Sequence, residues 1–285
     1  MHIKKDQNGF HLSFVVIVLV VLGLIVASGW LVMKRQDKTD STAESNNQAN
    51  TQQGSGEQAA STPGWSWTGT EWKASGTVPA CPSPLTVTTP VDINKAEAIL
   101  YPGQQRSSGY KAHGGFRMSS ASNNVTVVAP MDAKVTSGSR YIEMGEVQYL
   151  FEFTNDCGVK YRLDHLLVLT PEMQKLADSL PAAKENQSQT TDFTQEYPVK
   201  AGDKVATAVG FKNIKNVGFD FGLYDLRQKN AASKKSGYEA AHQMELSQAA
   251  YGLCWLDNLN AEDEAIARAL PGGDQAAGKT SDYCL

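Results

Sequence analysis

A mainly β, antiparallel fold is what the sequence predicts, and three stretches predict it. Between Gln148 and Asp164, Tyr149, Phe151 and Phe153 face one side, and Val159, Tyr161 and Leu163 repeat that spacing after Asn155-Asp156-Cys157-Gly158. Two period-2 runs around a glycine-containing turn read as a β-hairpin, with His165 just past the strand end. Val125, Val127 and Ala129 alternate with Thr126 and Val128 until Pro130, and Phe219, Phe221 and Leu223 keep a further strand.

Taken in order, the chain opens with Lys4 and Lys5 and then an uncharged apolar run from Leu12 to Met33. At about 1.5 Å per residue that run spans a bilayer as a helix, so residues 1–35 are read as a single transmembrane anchor. A cleaved signal peptide ending near Ala27-Ser28-Gly29 is the rival, although the run is longer than a usual signal core. Gly9-Phe10 is similar to a prepilin processing site, but Phe14 stands where that family keeps a glutamate. Residues 36–64 hold Gln, Ser, Thr, Asn, Ala and Gly with no large apolar side chain, which predicts a flexible linker. Trp65, Trp67 and Trp72 mark the return of packing residues, with sugar stacking as a second use.

Leu85–Thr88 reads as a short strand and Asn94–Leu100 as a helical turn. Within the β domain, 65–225, residues 170–198 read as an insertion. There Thr170-Pro171-Glu172 gives an N-cap and first-turn proline for a helix continuing to Leu180, and Ala182–Gln195 reads as a polar loop. Residues 226–285 form a helical C-terminal extension: a helix over Tyr238–Tyr251, then one capped by Asn260 with an acidic first turn that stops before Pro271.

Composition narrows the function classes. A net charge of −4 with no basic stripe argues against a nucleic-acid partner. No phosphate loop, nucleophile elbow or Cys-x-x-Cys pair occurs. Charge on either side of the apolar run does not orient it, since Lys34, Arg35 and Lys38 balance Lys4 and Lys5. Cys81, Cys157, Cys254 and Cys284 all follow the run, and an even count on one side fits an oxidising compartment, which places the domain outside the cell membrane. Four free buried thiols are the alternative. Spacing leaves the pairing open; the preferred arrangement is Cys254 with Cys284 and Cys81 with Cys157.

One ordered set of phrases carries chemistry. It runs from Gly109-Tyr110-Lys111-Ala112-His113-Gly114-Gly115-Phe116-Arg117 through Asp164-His165-Leu166 and Val199-Lys200-Ala201-Gly202-Asp203 to Gly218-Phe219-Asp220-Phe221-Gly222-Leu223. This order resembles the lysostaphin-type (LytM-like) zinc endopeptidases that cut peptidoglycan cross-bridges. The resemblance implies an antiparallel lysostaphin-like sheet domain of the duplicated hybrid motif kind. It also implies a metal site, in which His113 matches the first zinc ligand and His165-Leu166 the segment of the assisting histidine. Arg117 stands at the second ligand, Leu163 at a usual aromatic, Gly218 at the catalytic histidine and Asp220 at the third ligand.

Catalytic zinc needs three protein ligands and an open position, and a guanidinium cannot serve as one. The paired substitutions predict an ion pair between Arg117 and Asp220 in place of the metal. The expected function is therefore a catalytically inactive, membrane-anchored extracytoplasmic module that binds the cell wall or regulates a wall hydrolase, with no cofactor. The alternative is a divergent zinc endopeptidase in which His113 and Asp220 bind the metal, and His165 is a catalytic acid or base or a third ligand. A purely structural surface protein is a third reading. His242 is expected on a helix surface or interface.

Overall fold

Strand-forming residues on alternating faces dominate the computed structural model, which describes residues 64–106, 108–119 and 122–284. The expected membrane anchor and all of the linker but Gly64 lie outside those residues. Among the described residues no helix is long and apolar enough to cross a membrane.

A small hairpin leads in, β1 (Gly64–Trp67) with β2 (Trp72–Ser75). Next come β3 (Ala96–Leu100), the paired β4 (Gln104–Arg106) and β5 (Gly109–Lys111), β6 (Gly114–Met118) and β7 (Val127–Val128). Two long strands, β8 (Ala133–Glu143) and β9 (Glu146–Thr154), precede β10 (Val159–Leu169). After α1 (Pro171–Asp178) come β11 (Thr191–Val199), β12 (Lys204–Val209) and β13 (Gly218–Asp225). The extension contributes α2 (Tyr238–Ala241), α3 (Leu246–Ala249) and α4 (Ala261–Ala269). The main sheet is antiparallel in the order β11-β8-β9-β10-β13-β6-β3, and β12 joins it through β10 and β7.

The predicted hairpin is β9–β10, and its alternation builds the core: Phe151, Phe153, Val159, Tyr161 and Leu163 are buried on one face beside Phe116, Phe219 and Phe221. The opposite face of the same strands carries Glu152, Lys160, Arg162, Asp164 and Asp220, paired across the ladders as Glu152 with Arg162 and Asp164 with Asp220.

Several expectations need correction. Leu85–Thr88 joins no ladder among the described residues; Val87 donates instead to the Asn258 carbonyl, and the Thr88 backbone N–H and hydroxyl both donate to that of Pro130. Asn94–Leu100 is a 3-10 turn at Ile93–Lys95 followed at once by β3, because Ile99 and Leu100 are needed in the core. The loop read to Gln195 ends at Thr191, where β11 begins as the edge strand. Tyr238–Tyr251 is not one helix but two single turns around a 3-10 turn, because His242 and Glu245 leave helical backbone angles. The helix starts at Thr170 and Asn260 are as expected: each side-chain oxygen accepts a backbone N–H of the first turn.

The C-terminal extension crosses both faces of the sheet. Tyr238, Ala249, Ala250 and Tyr251 pack with Tyr110, Tyr224 and Leu226 on one side. On the other, Trp255 lies 4.9 Å from the Phe116 ring and 5.4 Å from that of Phe221. Ile99 then exchanges backbone hydrogen bonds with Pro271 and Gly273, so the tail covers the β3 edge that would otherwise invite another strand. Disulfides join Cys81 to Cys157 and Cys254 to Cys284, the preferred pairing, and both fit an extracytoplasmic setting.

The second disulfide closes a loop with a sequence separation of 30. In the chain-entropy account such closure is worth about 3.6 kcal/mol. The double variant Cys254→Ser/Cys284→Ser is expected to lose stability by about that amount. Urea unfolding with an unchanged midpoint would contradict this loop-closure contribution.

Candidate functional site

The site forms where β10 changes partners. Val159–Asp164 pairs with β13, whereas Leu166–Leu169 pairs with β12. Between them the β9 ladder slips, Leu163 facing Phe151 and Leu166 facing Tyr149, so one residue of β10 is extra. That bulge places His165 at φ 59°, a left-handed backbone that a non-glycine residue adopts only when its surroundings hold it. His165 is thus inside a strand rather than past its end, which corrects the expectation.

The surroundings can be named. Asp164 Oδ1 accepts the His165 backbone N–H at 2.7 Å and the Tyr141 hydroxyl at 2.6 Å, while Oδ2 accepts from Arg162 at 2.6 Å. Burial alone would raise the Asp164 carboxyl, but Arg162 and His165 outweigh it and hold the group below its usual range. Gly210 N–H donates to the His165 carbonyl, and the Phe211 ring centroid is 5.0 Å from the imidazole. The imidazole Nδ1 lies 3.2 Å from the Tyr141 hydroxyl, and its Nε2 lies 3.6 Å from Asp220 Oδ2.

The same Asp220 oxygen accepts from His113 Nε2 at 2.9 Å. His113 enters β6 at the register that sets Gly115 opposite Asp220. Gly114 allows this approach, since a Cβ there would come within 2.3 Å of the Leu100 carbonyl oxygen. Burial lowers the His113 imidazole, against the opposing pull of the Asp220 carboxylate. Burial would raise Asp220, yet His113, His165 and Arg106 together hold it far below the usual range. The pair is therefore an imidazole N–H donating to a carboxylate, with buried Arg106 donating at 3.0 Å to the His113 carbonyl.

Arg117 and Asp220 do not form the expected ion pair. The Arg117 guanidinium donates to Asn216 Oδ1 at 2.9 Å and lies over Gly218, its register partner, where a Cβ would come within 2.3 Å of Nη1. The physical link to Arg117 is thus the missing side chain at 218, and Asp220 instead accepts from His113 with His165 3.6 Å away.

His113, His165 and Asp220 are the donors near enough to share a cation. In this arrangement two of them are hydrogen-bonded to each other, and among the described residues none accepts from His113 Nδ1 in the way that orients a metal-bound imidazole. Among the described residues no group of three His, Cys, Asp or Glu side chains is arranged to hold a metal ion. His242 ends the α2 turn and lies against the rings of Tyr110 and Tyr238 instead of on a helix surface.

Tyr141, Arg106, Arg162 and Asn216 complete the site but were not singled out from sequence. Lys160, Arg162 and Asp164 did carry a signal, since charges at every second position of a strand with an apolar opposite face mark a polar sheet face. Farther along that face, buried Glu152 accepts from Lys160 at 2.6 Å and Ser137 at 3.0 Å. No protein-family model, curated protein or solved structure matches the chain.

Two outcomes are expected. Gly218→His should cost about 2 kcal/mol through overpacking, and most of that loss should disappear in an Arg117→Ala background. Equal costs in both backgrounds, read from denaturant midpoints, would refute the steric link. Glu152→Gln should cost about 3 kcal/mol by leaving Lys160 buried without its anion. Burial raises Glu152, but Lys160 and Arg162 hold it below its usual range, so its contribution is fully present above the unfolded value, about 4.3, and is lost as pH falls through the lower folded value. The variant's stability should accordingly fall less steeply than the parent's under acid, and parallel acid profiles would count against this.

Proposed function

We propose that the chain is a non-catalytic extracytoplasmic module, held at the cell membrane by its N-terminal segment, that binds peptidoglycan or a wall hydrolase. The observation that carries this reading is the 2.9 Å hydrogen bond from His113 to Asp220. It supports a site whose donors satisfy one another, where the charges of buried Arg106 and partly buried Arg162 oppose a dication. No cofactor is needed by such a module.

Two further features favour the reading. The turns from Tyr238 to Ala249 pack on the polar side of the sheet, where Gln248 reaches both Tyr224 and Glu152. Both disulfides fall in the domain that the reading puts outside the cell. The second reading, a divergent zinc endopeptidase, rests on the proximity of His165, 3.6 Å from the oxygen that His113 also reaches.

The full-length chain, purified with zinc present, is expected to hold far less than one zinc per chain and to release no dye from labelled peptidoglycan, while co-sedimenting with wall sacculi or a wall hydrolase. Stoichiometric zinc that disappears together with dye release in His113→Ala would establish the endopeptidase and end the module reading. Failure to retain either wall material or hydrolase would leave a structural surface protein.

A further inference from the structure

A concavity lies on the polar face, between the β1–β2 hairpin and the β8–β11 edge. It is a groove of about 580 Å³, within the size range of small-ligand sites. Half-buried Trp65, Trp67 and Trp72 form one wall. Trp67 is braced by the Trp72 ring at 5.7 Å and by Tyr251, edge-on, at 6.0 Å. Trp65 rests on the β9–β10 turn at Gly158, where a Cβ would come within 2.4 Å of the indole. Its indole N–H has no acceptor among the described residues.

The opposite wall is built by a defect in the edge ladder. Asp192 faces Ser137 and Tyr197 faces Val135, so the residues between them on β11 bow out of the sheet. Backbone donors and acceptors are out of step there, which removes the regular ladder that an added peptide strand requires. Side chains take over. Lys134 bonds Asp156 at 2.9 Å and Glu196 at 3.0 Å, and Lys160 is bound to Glu152 while lying 5.0 Å from the Trp72 ring centroid. Asp192 is exposed and has no ion-pair partner among the described residues. Four carboxylates, Glu152, Asp156, Asp192 and Glu196, thus line the groove against two ammonium groups, Lys134 and Lys160.

Braced indoles offer flat apolar surface to the C–H faces of a sugar ring, and the surrounding carboxylate and amide oxygens accept its hydroxyl and amide protons. The excess of carboxylates repels an anionic ligand. We propose that this groove binds a neutral oligosaccharide. This deepens the module reading above, on which it rests only for the source of the sugar.

The test is calorimetric titration of the full-length chain, in a detergent without sugar, with chitotetraose, tetragalacturonate and tetraglycine. Chitotetraose is expected to bind saturably, and Asp192→Ala and Trp65→Ala are each expected to weaken it about tenfold, equivalent to about 1.4 kcal/mol. Asp192 is exposed, so its variant tests the groove even if Trp65→Ala unfolds. Absence of chitotetraose binding, affinity unchanged in the Asp192 variant, or tighter binding of the acidic sugar or the peptide would overturn the proposal. Co-sedimentation with sacculi separates the two readings. If the Asp192 variant pellets like the parent and chitotetraose does not bind, the groove assignment fails and wall binding stands. If chitotetraose binds but sacculi are not retained, the groove stands and wall binding fails.

Discussion

The exchange of partners along β10 is the constraint from which the rest of the architecture follows. A strand that pairs with β13 over its first half and with β12 over its second must bend between them, and the extra residue at the bulge supplies the bend. His165 occupies it in a left-handed conformation costing on the order of 1–3 kcal/mol. Asp164 offsets that cost by accepting from three donors at once, one of them the His165 backbone. Because the bend fixes where β13 departs, it also fixes Asp220 beneath the imidazole and His113 beyond it.

How much of this was legible in the sequence depends on whether a residue's role is local. The β9–β10 hairpin could be read because alternation of Tyr149, Phe151 and Phe153 with their counterparts is a short-range pattern. Thr170 and Asn260 could be read because a cap bonds residues two or three positions away. Leu85–Thr88 and Ile99 could not be judged, since their status turns on whether a distant segment completes a ladder. Ile99 gains Pro271 and Gly273 from the far end of the chain, whereas Leu85–Thr88 finds no neighbouring strand. The short helices between Tyr238 and Ala249 failed as one helix because Tyr238 and Tyr251 are drawn to the same aromatic cluster, which a straight helix does not permit.

At the site, the sequence brought together the right residues in the wrong pairs. His113, His165 and Asp220 do converge. Arg117 and Asp220 stand at two ligand positions of the resemblance and are opposite in charge, but a strand's register decides which side chains meet, and register puts Arg117 opposite Gly218. The space left by the absent side chain, rather than a missing charge, is what admits the guanidinium. A neutral amide, Asn216, then orients it. Small residues therefore set this site as strongly as charged ones, and a glycine's part in it is invisible until the opposing strand is in place.

The Cys81–Cys157 bond has a mechanical consequence. Tension applied at Gly64 first meets β1–β2, a two-stranded ribbon whose rungs open one at a time. Beyond it, the covalent link carries load directly to the turn joining the two central strands, bypassing the intervening lead-in. The strands joined there are held by long antiparallel ladders on both sides. The hairpin would thus act as a sacrificial fuse ahead of a stiff body, and the tryptophan-lined groove it helps enclose would be the first feature to come apart under strain.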